Sequence, residues 1–471
     1  MRIAVVGTGI SGNVLAHELC REHEVTVFEA RDRPGGHTDT WEVELAGRRY
    51  AVDTGFIVFN DRTYPGFCAL LERLGVASRP TTMSFGVRCE ASGLEYCGSS
   101  LGGLFAQPAN LLRPRFHRML LDILRFNRAA SRLLRAEAGG SALAGAPVTA
   151  PVLAAGGPAL DEFLRQGGYS AGFAEHYFLP MAAAIWSADA ADIRRMPLGF
   201  LLRFFHNHGL LGIAGRPQWR TVEGGSARYL ERLIAPFRSR LQLGAPVESV
   251  RRLPEGIQVA ARGCAPAIFD RVFLACHGDQ ALRLLAEPNP LEHRALGPVH
   301  YQDNEAVLHT DIRLLPRSPR ARAAWNCYLP AEPLARVSVT YDMNRLQGLD
   351  APETLCVSLN RTESIDPARI LLKTAYRHPV FTRESLAAQA LHAQVNGLDR
   401  IYYAGAYWGC GFHEDGLASA LAALAHFRRD LAAGAEPRPA AAAPEPLREG
   451  SFRGAGSPGR GVALPGPAGL R

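Results

Sequence analysis

The stretch "RIAVVGTGISGNVLAHELCREHEVTVFEA" (Arg2 to Ala30) constrains this chain more than any other. An apolar run, a glycine-rich turn, a helical pattern and a second apolar run follow one another. That order makes a βαβ unit, and therefore a parallel sheet with a right-handed crossover. The turn reads "GTGISG", a G-x-G-x-x-G placed between a predicted strand and a predicted helix. Gly7 permits the tight turn, Gly9 lets backbone approach a pyrophosphate, and Gly12 lets the helix pack close to the strand. An anion at this point meets free N–H groups and the positive end of a helix dipole. Glu29 closes the second strand 20 residues after Gly9. There it can accept both hydroxyls of an adenosine ribose, and its charge disfavours a 2′-phosphate, so NADP is not expected.

With 471 residues, 47% of them hydrophobic, the chain can bury a large core and divide into two or three structural domains. Its net charge of +7 is almost all arginine, Lys373 being the one lysine, and no KH, RRM or zinc-knuckle pattern accompanies it. No nucleic-acid partner is expected. The nine cysteines form no C-x-x-C pair, so neither a disulfide framework nor a metal site is expected. The first strand begins at residue 2 and no apolar run approaches a membrane span, which points to a cytoplasmic protein.

Residues 108 to 138, "PANLLRPRFHRMLLDILRFNRAASRLLRAEA", read as one long helix with arginines beside a Leu/Ile/Phe stripe. Gly139 to Ala159 read as a flexible loop, and "RLQLGAPVESVRRL", "GIQVAA" and "FDRVFLAC" as strands. Near the end, "YYAGAYWGCGFHEDGLASALAALAHF" (Tyr402 to Phe427) repeats the order of strand, glycine turn and helix. The residues from 434 to 471, rich in Ala, Pro and Gly, read as a disordered tail.

Taken together, "GTGISG", Glu29, "RPGGH", "VDTG", "GGSARYLERL" (Gly224 to Leu233) and "GFHEDG" resemble the FAD-binding amine oxidase superfamily, in the expected order over residues 1 to 433. The pattern is most like a bacterial subgroup of predicted NAD/FAD-binding proteins within it. The resemblance implies an α/β fold: a Rossmann-like FAD-binding domain from residues 1–60, 225–285 and 395–433, and an α+β substrate domain from 61–224 and 286–394. It implies non-covalent FAD clasped at both ends. The implied cofactor residues are Gly7, Gly9, Ile10, Ser11, Gly12, Glu29, Ala30, Gly35, Gly36, His37, Thr38, Thr54, Gly55, Phe56, Val247, Gly405, Gly411, Phe412, Asp415, Gly416 and Leu417. Near the flavin end, His413, Glu414 and Asp415 are the titratable candidates for catalysis, His413 first as proton acceptor. For Asp415 the alternative is a helix cap, and for His413 a satisfied structural histidine.

Two positions depart from the family pattern. Ala406 stands where a carboxylate is usual, and His37 where many members carry an arginine on the phosphate side. Cys410 reads as a buried free thiol. Phe412 lacks a hydroxyl and suits an apolar guest, while "FLPMAAAIW" (Phe178 to Trp186) and "LGFLLRFFHNHGLL" (Leu198 to Leu211) read as tunnel lining or as core. The expected chemistry is hydride transfer between a substrate carbon and flavin N5, on a lipid acyl or isoprenoid-like chain. An amine oxidase and a non-catalytic scaffold are the alternatives. The electron acceptor is not specified by the sequence. Residues 108–138 are a candidate for peripheral contact with the inner face of the membrane.

Overall fold

The computed structural model describes residues 1–137, 157–212, 215–332 and 336–434. The expected loop over 139–159 and the expected tail from 434 onward fall almost wholly outside this set.

The opening βαβ unit forms as read: β1 (Arg2–Val6), α1 (Ile10–Leu19) and β2 (Glu24–Phe28). β1 is central to a five-stranded sheet in the order Leu241–Gln242, β2, β1, Arg271–Leu274, Ile401–Tyr403, with every pair parallel. Its strands are nearly all apolar because both faces are covered, and Ile3, Ala4, Val5, Val27, Val272 and Phe273 have no exposed surface. The final helix, His413–Ala432, packs its Ala420, Ala423, Leu424 and Phe427 into the same core as α1. Both glycine turns therefore leave this one sheet at its carboxyl edge, where open parallel sheets bind ligands.

A second sheet has seven strands in the order Ile370–Val380, His300–His309, Cys356–Leu359, Ser338–Asp342, Trp325–Leu329, Phe85–Cys89, Glu95–Cys97. Only the pair Trp325–Leu329 with Phe85–Cys89 is parallel. α2 (Pro65–Leu74) packs with the final helix into the core of the parallel sheet, while α3 (Leu101–Leu104) and α4 (Pro114–Glu137) belong with the second sheet. The single helix expected over 108–138 is in fact two pieces. Pro108–Leu112 is a 3₁₀ turn, Arg113 is extended at φ −92°, ψ 106°, and α4 starts afresh at Pro114. The proline ring forces its predecessor out of helical geometry.

Candidate functional site

At the end of β1 the Gly7 amide donates to the Phe28 carbonyl at 2.8 Å, turning the chain into α1. Gly9 is the N-cap of α1 and no side chain caps it. A Cβ built on Gly9 would meet no atom within 4 Å, so the uncapped amides look into open space. A Cβ on Gly12 would lie 1.9 Å from the Gly7 carbonyl oxygen, and one on Gly36 3.1 Å from the Gly9 Cα. The glycines thus bring three stretches of backbone together around one hollow. Glu29, 9% exposed, accepts from the Thr8 amide at 3.0 Å and the Arg31 amide at 2.9 Å, which fixes its carboxylate at the rim.

The hollow opens into a cavity of about 1210 Å³. Single-ligand pockets run to roughly 300–1,000 Å³, so there is room for an extended cofactor and a substrate beside it. Of the sequence-predicted cofactor residues, Gly7, Gly9, Ile10, Ser11, Glu29, Ala30, Gly36, His37, Thr54, Gly55, Phe56, Val247, Gly405, Gly411 and Phe412 line it. Gly12, Gly35, Thr38, Asp415, Gly416 and Leu417 stand behind the wall. Gly416 packs on α1, where its Cβ would come within 2.7 Å of Ile10 Cγ2, and the Ser11 hydroxyl donates to the Gly416 carbonyl at 2.8 Å. Residues 405 positions apart join the two glycine turns directly.

The three catalytic candidates are not equivalent. Glu414 is outside the cavity lining: its carboxylate oxygens accept the Gly66 and Phe67 amides, each at 2.8 Å, at the first turn of α2. Asp415 accepts the Phe412 amide at 2.9 Å and is also outside the lining, with burial raising its carboxyl to about 6. Both carboxylates anchor backbone, which is what an acid in the first turn of a helix does. His413 does line the cavity, but its ring lies on Phe56 at 3.7 Å and 6°, and its Nε2 is 2.7 Å from the Tyr229 hydroxyl. Burial lowers its pKa to about 3, leaving a neutral ring that is a weak proton acceptor.

These contacts explain why the scattered motifs go together. Asp53 of "VDTG" is fully buried and accepts from the Ser226 amide at 2.9 Å and the Ser226 hydroxyl at 2.8 Å. Three residues on, Tyr229 of the same "GGSARYLERL" segment reaches His413 of "GFHEDG". Thr38 also meets His413, at 3.2 Å.

Sequence reasoning named His37 and missed the two histidines that face it. His37 faces His378 at 5.3 Å and His277 at 6.2 Å between ring centroids, and stacks on Tyr376 at 5.1 Å. His277 stacks on Tyr301 at 4.3 Å. All three line the cavity, and burial lowers their pKa values to about 4 (His37) and about 3 (His277, His378). His37 Nε2 and His277 Nδ1 are buried without a hydrogen-bond partner. Among the described residues no cluster is placed to hold a metal. His277 stands three residues past the end of a parallel strand, at the N-cap of the helix Gly278–Leu284, a position that could have drawn notice; His378, on a strand of the other sheet, carried no such signal. Orphaned imidazole nitrogens, an uncapped α1 and a fixed Glu29 together fit the diphosphate and ribose of FAD.

Beyond Phe412 the wall changes. Phe204 stacks on Phe412 at 5.1 Å and on His208 at 3.9 Å, and Trp186 meets Phe204 at 4.7 Å. Further out the lining is Met83, Phe85, Tyr96, Leu104, Leu120, Ile123, Leu124, Tyr177, Met181, Ile185 and Leu210. The two apolar stretches singled out in the sequence, Phe178 to Trp186 and Leu198 to Leu211, supply both core and lining. Lys373 is exposed and does not line the cavity. Ala406 does line it, with no carboxylate at that point; its carbonyl accepts the Gly411 amide at 3.1 Å, and Ser419 Oγ accepts the Gly405 amide at 2.9 Å. Cys410 is a free thiol in the lining whose pKa is raised by burial.

The family described as flavin containing amine oxidoreductase matches residues 10–311. A Mycobacterium tuberculosis protein named AofH, for a flavin-containing monoamine oxidase activity, is 28% identical over 275 residues, 57% of this chain and 55% of its own length. The chain spans about half the length of the curated relatives it matches. Among solved structures, cyclohexylamine oxidase from Brevibacterium oxydans superposes with a TM-score of 0.61 at 16% identity, over 91% of this chain and 99% of that one. A fatty acid isomerase from P. acnes that produces CLA gives 0.61 at 16%, over 90% and 98%. Putrescine oxidase with bound putrescine gives 0.61 at 14%, over 92% and 99%.

Proposed function

We propose a hydride-transfer chemistry on an apolar chain for this protein, which belongs to the flavin-containing amine oxidoreductase family and has FAD as its cofactor. Flavin accepts or gives two electrons as hydride, and the protein contributes binding, orientation and exclusion of water. The uncapped amides of α1, Glu29 and the neutral imidazoles of His37 and His277 would hold the adenosine and diphosphate portion. The turn at Gly411 and Phe412 would border the ring. His413, held by Phe56 and Tyr229, keeps that wall rigid and uncharged.

The observation that carries the substrate class is the composition of the outer arm. From Met83 to Trp219 the lining is mainly aliphatic and aromatic, with Ser84, Ser99, Asn127 and Ser187 as uncharged polar side chains, Arg216 as its one cation besides neutral histidine, and no Asp or Glu. The acids in the lining, Glu29 and Asp303, are both at the nucleotide end, where Asp303 pairs with Arg377 at 3.0 Å. A protonated amine entering the arm would meet no countercharge and would lose hydration without return. A lipid acyl or isoprenoid-like chain gains from every methylene buried, about 0.8 kcal/mol each. The P. acnes fatty acid isomerase supports the reading by what it acts on. The relatives named for amines support the alternative, an amine oxidase in which the aromatic wall of Phe204, Trp186 and Phe412 receives the amine.

The test is optical. The purified protein should be yellow, and denaturation should release the flavin entirely as FAD, since the half-buried Cys410 thiol, its pKa raised by desolvation, is a poor nucleophile. Under anaerobic conditions an unsaturated acyl lipid or an isoprenoid should bleach the oxidised flavin, or reoxidise it after reduction. Bleaching by simple amines alone would replace this reading with the amine oxidase, and a colourless protein would leave only a scaffold.

A further inference from the structure

We propose that α3, the turn Pro108–Leu112 and the outer stripe of α4 form a surface that docks on an anionic lipid bilayer. The proposal rests on the apolar-chain reading above only for what passes through the surface, not for the docking itself.

Single exposed leucines are ordinary on soluble proteins. Here their placement is not. Of the exposed large apolar side chains among the described residues, the four most exposed are Leu112 at 87%, Leu101 at 75%, Leu121 at 58% and Leu111 at 54%. All four fall between residues 101 and 121, three on the elements that lead into α4 and Leu121 on α4 itself. Large apolar side chains held out to water and concentrated in one segment, rather than scattered singly, mark an interaction site.

The charges on α4 select the partner. Arg118 and Arg125 turn inward to the buried Asp122, at 3.1 Å for Arg118, so they are already satisfied. Arg128, Arg132 and Arg135 are exposed and have no ion-pair partner among the described residues. With Leu121 they follow spacings of three, four and seven residues, so they share one stripe of the helix. Guanidinium groups beside projecting leucines match lipid: leucines pass the headgroups while arginines stay at their level. Among the described residues no helix is long and apolar enough to cross a membrane, so the contact is with one face.

The stripe also adjoins the cavity. Leu120, Leu124 and Asn127, on neighbouring positions of α4, line the cavity, as does Leu104 of α3. Leu124 and Asn127 also border a groove of about 390 Å³ closed by Arg128, Arg132 and Arg135. An acyl chain leaving the bilayer would pass round one side of α4 into the cavity, while its phosphate stayed with the arginines in the groove.

Sedimentation of the intact FAD-loaded protein with vesicles of phosphatidylglycerol and phosphatidylcholine tests this. The protein should pellet at low salt, much less with phosphatidylcholine alone, and should return to the supernatant at about 0.5 M salt. Each arginine lost should weaken partition about fivefold, so R128E/R132E/R135E should fall by a factor of about a hundred or more. R128K/R132K/R135K should pellet like the wild type, and L111S/L112S/L121S should not pellet even at low salt. Flavin absorbance and melting temperature serve as fold controls for each variant. A wild type that stays in the supernatant at low salt, or charge-reversed and leucine variants that pellet unchanged, would overturn the proposal. So would displacement by inorganic phosphate beyond that by chloride at matched ionic strength, which would make the groove a site for a free anion. Pelleting without any response of the flavin to acyl chains would leave docking standing and remove the substrate reading.

Discussion

At the nucleotide end the cavity wall is largely backbone, with Gly7, Gly9 and Gly36 bringing amides up to the open space. Past Phe412 it is largely side chain, from Phe204 and Trp186 to Leu120 and Ile123. The nucleotide end also gathers the titratable groups Glu29, His37, His277 and His378, His413 stands beside the ring-side turn, and the outer arm has His208 and Arg216. A backbone-built site is defined by what must be absent, so a single added side chain destroys it. A side-chain-built site is defined by shape, and substitutions there should shift preference before they abolish binding.

The largest test of that contrast is Gly9→Val. Nothing lies within 4 Å of a Cβ at Gly9, so the apoprotein should fold and melt almost as the wild type does. The valine would fill the place of the diphosphate, and the purified protein should carry no flavin absorbance. Next is His37→Ala, which removes an imidazole with an orphaned nitrogen at the same end. A hydrogen bond to a charged group is worth about 1.5–3 kcal/mol, so FAD affinity should fall roughly tenfold to a hundredfold in a fluorescence titration of the apoprotein. Leu120→Trp acts at the other end. It should leave flavin content unchanged and slow bleaching by long chains by about tenfold, with short chains little affected. Equal loss with both chain lengths would mean that the arm is not where length is read.

The same contrast explains what the sequence disclosed. A backbone cradle requires glycine at fixed spacings, so Gly7, Gly9, Gly12 and Gly36 announced the nucleotide end. The pairing of both glycine turns on one sheet followed from the strand-turn-helix order at each end of the chain. The outer arm had no such signature, because Met181, Ile185 and Phe204 would be the same residues in a packed core. Two members of the histidine trio, His277 and His378, were also hidden. The trio draws on the turn after Gly36, the N-cap of the helix Gly278–Leu284 and the strand Ile370–Val380, and only tertiary packing brings these together. The break at Arg113 was readable from Pro114, and the helical periodicity on either side obscured it.

A smaller effect should appear in the pH dependence of the apoprotein. His37, His277, His378 and His413 are held neutral by burial down to about 4 (His37) or about 3 (the others). In the unfolded chain each takes up a proton near pH 6.5. Below that pH the unfolded state binds more protons, so stability is full above about 6.5 and is lost as pH falls toward about 4. Asp53 and Asp415, raised to about 6 by burial, act in the opposite direction, as do Asp342 and Glu414, but His208, His309 and His392, each lowered to about 4 by burial, add to the four cavity histidines and leave seven groups against four. The melting temperature should therefore drop across this window. FAD should reduce the drop, since its diphosphate gives His37 and His277 an anion to face. A drop of equal size with and without FAD would separate the trio from the cofactor.

The smallest expected effect belongs to Glu414→Gln, and it decides whether a titratable residue beside the cavity belongs to the site or to the frame. Glu414 is adjacent in sequence to His413, which lines the cavity, yet its two oxygens are taken by the Gly66 and Phe67 amides of α2. Glutamine keeps one acceptor and turns the other into a donor facing an N–H, so one bond is lost and one contact becomes repulsive. Loss of a charge-assisted bond of this kind costs about 1.5–3 kcal/mol. For a chain of this size that lowers the melting temperature by only a few degrees. Removal of a general acid or base would instead slow flavin reduction by roughly a hundredfold or more. Stopped-flow bleaching and thermal melting of the same variant separate the two. If Glu414 holds α2 against the final helix and nothing more, the melt moves and the rate of flavin reduction stays within about twofold. If the rate collapses while the melt stays still, the carboxylate reaches the substrate in the loaded protein, and the division drawn here between wall and frame is misplaced at that residue.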